Sequence, residues 1–423
     1  MHVLVLSTGN PLLESALMAA GHTVTLIQPA GTKPAPGHLG ATRLTIEHWD
    51  DLDALSAMEP TLPKADAVAT IDEQAIVAAA HLRELRNLPG LDVRAARAYT
   101  DKATMKATLA AAGLPVAGHR VVRRADEVPG AARELGWPVL VKPRGGLAAV
   151  NTFVVRDEDH LRELVADGAF DARVPDVTGR FTAGHALDSL HQAQDGFLVE
   201  QFLDLVGEYF CDLYLHRGTV LLAVPGRYDA PLLQTVGDAS YDTVLSPQHP
   251  EAGAVLELAG LAAAALGEQT GVVHAEFLRE RSGRLLIGEA AARPGGGSIT
   301  ELASTMYGFD LAATLAQLAV DEIPTLNPAP LYPALTAVMV TAPPGTVTHL
   351  ADKATTEQHP GVLDADIRLT VGQPVPPSVG TLTLAGRVLY VPTDLRELDR
   401  EVADLRTALD IRVSSPDGLQ PTA

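Results

Sequence analysis

The chain has 423 residues, 47% of them hydrophobic and 20% charged, a globular composition with room for several domains that excludes a disordered or fibrous protein. Its formal net charge of −20 excludes a plain basic nucleic-acid module and a binder of acidic membrane surfaces, so a polyanionic ligand would need a local basic pocket. A single cysteine, Cys211, excludes an intramolecular disulfide and fits a reducing, cytoplasmic compartment.

The opening segment, MHVLVLSTGNPLLESALMAAGHTVTLI, reads as strand, loop, helix and strand, without the basic n-region and cleavage pattern of a signal peptide. No uninterrupted apolar run reaches the ~18 residues of a membrane span. AGAVLELAGLAAAALGEQTG comes nearest, and Glu257 and Glu268 make it a packed helix. Residues 1–95 alternate strand and helix through HVLVLS, PLLESALMAAG, TVTLIQ, AVATI and EQAIVAAAHLRELRNLPG, the pattern of an α/β domain with a parallel sheet. The loop STGNP holds one glycine and is no dinucleotide fingerprint.

DKATMKATLAAAG, residues 101–113, predicts a helix with Asp101 as N-cap and Gly113 past its end. A strand in LPVAGHRVV and a helix in ADEVPGAARELG follow. WPVLVKPRGGLAAVNTFVV then reads as a strand, a glycine-bearing loop and a returning strand. The polar stretch 158–195 reads as a helix plus a mobile excursion. DGFLVEQFLDLVGEYFCDLYL reads as strand, short linker and strand, where Cys211 is a packing residue rather than a nucleophile. From about residue 330 the texture is β-rich and ends in a helix, DLRELDREVADLRTALDIRV. Six prolines between 324 and 345 mark a boundary. The expected organisation is multidomain, α/β and α+β: 1–95, then 96–325 with subdomains at about 115–200 and 201–325, then a lobe over 326–423.

The chemistry concentrates in GVVHAEFLRERSGRLLIGEAAARPGGGS. VVHAEFL and RLLIGEA are strands, and RSGR is the turn between them. With Ser282 and Gly283 as a two-residue loop, counting outward sets Glu276 opposite Glu289, His274 opposite Ala291 and Val272 opposite Arg293. Directly opposed side chains share a face with Cβ atoms about 4.5–5.5 Å apart, and like charges there destabilise the hairpin. A hard divalent ion with oxygen ligands, such as Mg²⁺, would relieve them. A surface hairpin with solvated glutamates is the rival reading. The backbone N–H groups of Gly295 and Gly296 form a candidate anion nest. His274 is either a substrate contact or a packed, hydrogen-bonded histidine. Lysine is scarce, six in all, and three of the six are Lys102, Lys106 and Lys142. Lys142 ends a strand before a glycine-bearing loop, where a point charge beside backbone N–H groups suits a phosphate.

The order Lys102, Lys142 with its loop, VEQFL, then paired glutamates resembles the ATP-grasp superfamily over about residues 95–325. The motifs are Asp101-Lys102, VKPRGG, the stretch Val199, Glu200, Gln201, Phe202, Leu203 with Glu208 after it, and Glu276, Glu289 and Arg293. The resemblance implies an ATP-grasp fold with an N-terminal Rossmann-like domain, a nucleotide-gripping subdomain, a metal- and substrate-binding subdomain and a β-rich C-terminal lobe. It implies that Lys102 and Lys142 contact ATP phosphates, that backbone groups of Glu200 to Leu203 read the adenine and that Glu208 takes the ribose. Glu276 and Glu289 would hold Mg²⁺ or Mn²⁺, and the loop 144–151 would close over the triphosphate with the N–H groups of Ala148 and Ala149.

HAE and EAAARPGGG are similar to the L-amino-acid ligase branch. There Arg293 would hold a carboxylate or acyl phosphate, with His274, Gly295 and Gly296 beside the substrate. Two features depart from the superfamily: Ala291 stands where many members carry a metal-ligating Asn, and LAAVN replaces a richer Gly/Ser loop. The activity implied is an ATP-dependent carboxylate–amine ligase working through an acyl phosphate on amino-acid-like substrates. Its partners would be small molecules, with no nucleic acid and no membrane, and the family allows a homodimer. Two alternatives stand beside it: another ATP-grasp enzyme, a carboxylase or a purine- or cofactor-pathway ligase, and a non-catalytic ATP-binding protein.

Overall fold

Four strands of the opening segment, β1 (His2–Leu6), β2 (Thr23–Pro29), β3 (Thr42–Ile46) and β4 (Ala67–Ala69), form a parallel sheet in the order β3-β2-β1-β4. The apolar runs of β1, β2 and β4 are buried on both faces, as a helix-covered parallel sheet requires, while the edge strand β3 is partly exposed. Val3 and Val5 pack with Leu13 and Leu17 of α1 (Leu12–Ala19). Leu4 and Leu6 face the other way, onto Leu55 of α2 (Leu52–Met58) and Ala78, Ala79 and Leu82 of α3 (Ile76–Arg86). The computed structural model describes residues 1–38, 40–146, 151–171, 196–235, 240–267, 270–375 and 385–414.

Two helices, α4 (Val93–Thr100) and α5 (Lys102–Ala111), lead out of this sheet. Asp101 between them is extended, at φ −100° and ψ 107°, and its carboxylate accepts from the N–H of Ala103, so the predicted cap is present. A second, antiparallel sheet follows: β5 (His119–Val122), β6 (Val139–Pro143), β7 (Phe153–Val155) and β8 (Phe197–Gln201), in the order β5-β8-β6-β7. Helices α6 (Val128–Leu135) and α7 (Glu158–Ala166) cover it through Val128, Ala132 and Leu161. The excursion expected after α7 lies, from residue 172 to 195, outside the described residues.

The largest sheet has eight strands among the described residues, in the order β13-β12-β9-β10-β11-β14-β18-β16. It starts with β9 (Leu205–His216), β10 (Thr219–Tyr228), α8 (Leu232–Thr235), β11 (Tyr241–Leu245) and α9 (Ala252–Leu266). It continues with β12 (Gly271–Glu280), β13 (Leu285–Ala291), α10 (Ile299–Tyr307), α11 (Leu311–Ala319) and β14 (Ala334–Val340). Beyond these come β15 (Gly345–His349), α12 (Lys353–Glu357), β16 (Val362–Ile367), β17 (Pro374–Val375), β18 (Gly386–Tyr390), α13 (Leu398–Leu409) and β19 (Arg412–Ser414). The β-rich texture after residue 326 is seen in β14–β19. Three of these strands lengthen the large sheet, while β17-β15-β19 form a small sheet of their own.

Period-two alternation divides the large sheet's faces. Cys211, Leu213, Val273, Ala275 and Phe277 pack under α9 with Val255, Ala259 and Ala263. Cys211 is fully buried and burial pushes its thiol pKa up, so it is a packing residue. The stretch nearest to a membrane span is α9, and among the described residues no helix is long and apolar enough to cross a membrane. The opposite face carries Phe210, Tyr214, Val224 and Val272 against α10, α11 and the N-terminal sheet.

The hairpin β12–β13 differs from expectation in an instructive way. Glu276 does face Glu289, and His274 faces Ala291. The turn, however, is one residue longer than the predicted Ser282–Gly283 loop: Arg279 pairs with Leu285, and the N–H of Glu280 donates to the carbonyl of Arg284. A bulge at Gly288, where the register jumps from Glu276–Glu289 to Phe277–Ile287, cancels the error before the acids are reached. Arg293 lies past the end of β13, so the predicted pairing with Val272 does not form.

Gly226 of β10 lies opposite Phe210, and a Cβ there would meet that ring at 2.2 and 2.4 Å and the carbonyl of Thr243 at 2.7 Å. Gly226→Ala should therefore lower the urea-unfolding free energy by about 1–3 kcal/mol. Gly253→Ala, in α9 with nothing near, should be neutral or raise it by about 0.5–1 kcal/mol. Equal midpoints for both variants would contradict the close packing of Phe210 on Gly226.

Candidate active site

The face of the large sheet that carries Glu276 also carries His274 on β12, Glu208, Phe210 and Asp212 on β9, Tyr228 on β10, and Glu289 on β13. Glu276 and Glu289 are opposed, and each is held from its outer flank. Glu289 Oε1 is 3.0 Å from Lys102 Nζ. Glu276 Oε1 accepts from Tyr228 Oη at 2.9 Å and from His274 Nε2 at 3.3 Å. Burial alone would raise the pKa of Glu276; the hydrogen bonds from His274 and Tyr228 and the charge of Arg293 hold it down at about 2. The pair thus presents two opposed carboxylates, the oxygen-donor chemistry a small divalent cation selects. Among the described residues no three metal-ligating side chains converge.

His274 is fixed on both sides. Its Nδ1 is 2.7 Å from Asp212 Oδ1, directly across from it on β9. Burial would favour the neutral ring, but Asp212 and Glu276 outweigh burial and push its pKa up to about 9. It is then an imidazolium that donates to two carboxylates. Asp212 Oδ2 accepts the N–H of Gly295 at 3.0 Å, so one buried carboxylate positions both the ring and the glycine turn. A Cβ on Gly295 would meet Ile299 at 2.7 Å and His274 Nδ1 at 3.0 Å, which explains glycine there; a Cβ on Gly296 would meet nothing. Arg293 faces Glu73, just past β4, with Nε and Nη2 both 2.8 Å from Glu73 Oε2. Burial opposes the charge on Arg293, and Glu73, Glu276 and Glu289 outweigh it. This ion pair joins the N-terminal sheet to the site.

The lysines meet at the junction of the two antiparallel sheets. Glu200, in the central strand β8, accepts from Lys106 Nζ of α5 and Lys142 Nζ of β6, each at 2.7 Å. Burial would raise the pKa of Glu200, but the two ammonium groups hold it down at about 2. Lys106 also donates to the carbonyl of Ile287 in β13 at 3.3 Å. Lys102 lies four residues before Lys106, on the same face of α5, and donates to the carbonyl of Gly146 at 2.6 Å as well as to Glu289. Arg144, after Lys142, is bonded to Asp101, which ties the start of the loop to the cap of α5.

Glu208 is buried, accepts the N–H of Leu232 at 2.8 Å, and is pushed up to about 8 by burial and by Glu276. Gln201 ends β8, its N–H donating to the carbonyl of Gly118 at 2.8 Å. Phe202, 43% exposed, and Leu203 lie beyond the strand.

The structure thus gathers Lys102, Glu276, Glu289, His274, Arg293 and Gly295 around one face, with Lys142 and Glu200 at its margin. Ala148 and Ala149 lie outside the described residues. Sequence reasoning did not assign Lys106, Asp212, Glu73 or Tyr228. Lys106 has a signal in the four-residue spacing from Lys102. Asp212 is an acid inside an apolar strand, in EYFCDLYL, the same signal that Glu276 gives. Glu73 has none.

The family model described as carbamoyl-phosphate synthase L chain, ATP binding domain, matches residues 101–178. An L-arginine-specific L-amino acid ligase of Bacillus subtilis is 26% identical over 341 residues, 78% of either chain. Among solved structures, an L-amino acid ligase from Bacillus licheniformis aligns with a TM-score of 0.73 at 20% identity, over 98% of this chain and 99% of its own. A phosphoribosylglycinamide synthetase from Anaerococcus prevotii aligns with a TM-score of 0.66 at 19% identity, over 97% and 99%. The chain has the ATP-grasp fold and is similar in sequence to an L-amino acid ligase of that fold.

Glu200→Gln should leave two buried ammonium groups without a countercharge and destabilise the fold by about 3–5 kcal/mol at neutral pH. Because the folded-state pKa of Glu200 is depressed to about 2 from 4.5, its stabilisation is full above pH 4.5 and is lost as pH falls toward 2. The gap between wild type and variant in denaturant titrations should therefore narrow below about pH 4.5. A gap that does not change with pH would contradict the ionised triad.

Proposed function

We propose that the chain joins the carboxylate of one amino acid or amino-acid-like substrate to the amine of another, using ATP and an acyl phosphate. The observation that carries this reading is the opposed pair Glu276–Glu289, flanked by Lys102 on one side and by His274 and Arg293 on the other. On this reading residues 115–200 grip the nucleotide and 201–325 carry metal and substrate. Glu276 and Glu289 would hold Mg²⁺, which would supply positive charge to offset the charge developing in phosphoryl transfer. Two protein carboxylates suit an ion that keeps waters and substrate phosphates as its other ligands.

The other residues divide the remaining work. Lys102 and Lys142 supply positive charge to the phosphates. The N–H of Gln201 serves Gly118, so backbone reading of the adenine falls to Phe202 and Leu203. A Glu208 that is neutral near pH 7 offers a donor as well as an acceptor to a ribose hydroxyl. The guanidinium fork of Arg293, oriented by Glu73, suits a carboxylate or its phosphorylated form. His274, charged and fixed by Asp212 and Glu276, would place a positive charge near the oxygen that gains charge when the amine attacks. A cytoplasmic setting fits this chemistry.

The test is incubation with ATP, Mg²⁺ and the amino acids singly and in pairs, following phosphate release and product mass. Release that needs a pair, with a product lighter than the two substrates by one water, is expected; no release with any pair would sink the reading. Glu289→Ala should reduce ADP formation to background with only a small change in thermal midpoint, because the loss of the Lys102 partner is offset by relief of the repulsion with Glu276. Turnover by that variant would refute the metal assignment. Arg293→Lys keeps the charge opposite Glu73 but loses the fork, and should raise the KM of the carboxylate substrate by about tenfold or more with less effect on ATP. Equal loss for both would contradict its assigned role.

A further inference from the structure

Asp242 of β11 lies directly opposite Tyr228 of β10, and Tyr228 donates to Glu276. Directly opposed residues share a face, so Asp242 shares the face of the metal-site acids. It is 8% exposed. Among the described residues its carboxylate receives no hydrogen bond and no ion pair. The cations of the site are engaged elsewhere: Lys102 with Glu289, Lys142 with Glu200, Arg293 with Glu73. Arg406 binds the carbonyl of Ser240 instead. The charges around Asp242 are mostly negative, with Asp229 and Glu276 raising its pKa after burial itself, and only His274 opposing them.

A nearly buried carboxylate without a protein donor is completed by water or by a ligand. Three inter-strand steps, from β12 through β9 and β10 to β11, and two residues along the strands, since the rung of Glu276 and Phe210 runs to Gly226 and Val244, separate Glu276 from Asp242, about 16 Å between backbones. The rings of Phe210 and Tyr228, with centroids 5.2 Å apart, stand between them, and Tyr228 carries its hydroxyl to Glu276. Asp242 is thus a carboxylate on the face of the candidate site with no protein partner among the described residues, which suits a cationic group of a ligand.

We propose that Asp242 determines specificity by accepting a positively charged nitrogen group of the substrate, an ammonium or a guanidinium. The assignment rests on the ligase reading only in calling the ligand a substrate. The cation is either a side-chain group or the α-ammonium, and L-arginine, its neutral isostere L-citrulline and their Nα-acetyl forms separate the two.

Calorimetric titration of the four compounds into the protein with Mg²⁺ and ADP tests this without requiring turnover. For a side-chain cation, arginine binds about 10- to 100-fold more tightly than citrulline, and Asp242→Asn removes the difference while Asp242→Glu keeps part of it. For the α-ammonium, arginine and citrulline bind alike, both lose affinity in Asp242→Asn, and acetylation has the same effect in wild type. Unchanged affinity for all four compounds in Asp242→Asn, or no binding of any to wild type, overturns the proposal. Phosphate release decides the ligase reading separately. Turnover of an amino-acid pair with no dependence on Asp242 overturns only the present assignment, and Asp242-dependent binding without phosphate release overturns only the ligase.

Discussion

The site is organised by a repulsion. Glu276 and Glu289 face each other across one hairpin, where like charges cost stability, and the surrounding groups act to make that tolerable. Lys102 reaches Glu289 from α5, Tyr228 reaches Glu276 from β10, His274 reaches it along its own strand, and Arg293 adds its field from beyond β13. Lys102 and Tyr228 lie far from the acids in the chain, so the pair is fully compensated only when the sheets and α5 are assembled. A hairpin in isolation would keep only the local part of the compensation, from His274.

The helix α5 makes that assembly possible. Its cap, Asp101, holds Arg144, and its first turn sends Lys102 to Glu289. One turn on, Lys106 bonds Glu200 in the smaller sheet and the carbonyl of Ile287 in the larger. The N–H of Ala290 also approaches Met105 Sδ at 3.3 Å. A buried ion cluster is weak evidence for stability on its own, since desolvation offsets its attraction. Its value here is orientation: charged groups from α5, β6 and β8 satisfy one another in a single arrangement, which sets the smaller sheet against the acids.

Much of this was legible in the sequence because strand alternation and motif order are local facts. Carboxylates inside apolar strands pointed to the site, the DK pair to the cap of α5, and the order of lysines, VEQFL and acids to the fold. What stayed hidden depends on contacts between distant segments. Glu73 meets Arg293 across 220 residues, and nothing in TIDEQ foretells it. Asp212 was read as part of an apolar strand, and its role appears only when β9 and β12 pair. The hairpin is the subtler case: the register at the acids was right although the turn was assigned one residue too short, because two opposite departures cancelled.

That cancellation has a consequence of its own. In a regular hairpin the tip dictates the phase of every rung, so a change in loop length propagates along both strands and turns their side chains over. The glycine bulge sits between the tip and the acids and absorbs such a slip, uncoupling the two ends of the hairpin. The tip residues Arg281, Ser282 and Gly283 are exposed, and the tip is anchored through Arg281 to Asp204 rather than through the rungs that carry the acids. The hairpin therefore has two ends under different physical constraint, a rung of opposed acids and a solvent-exposed tip, with Gly288 as the border between them.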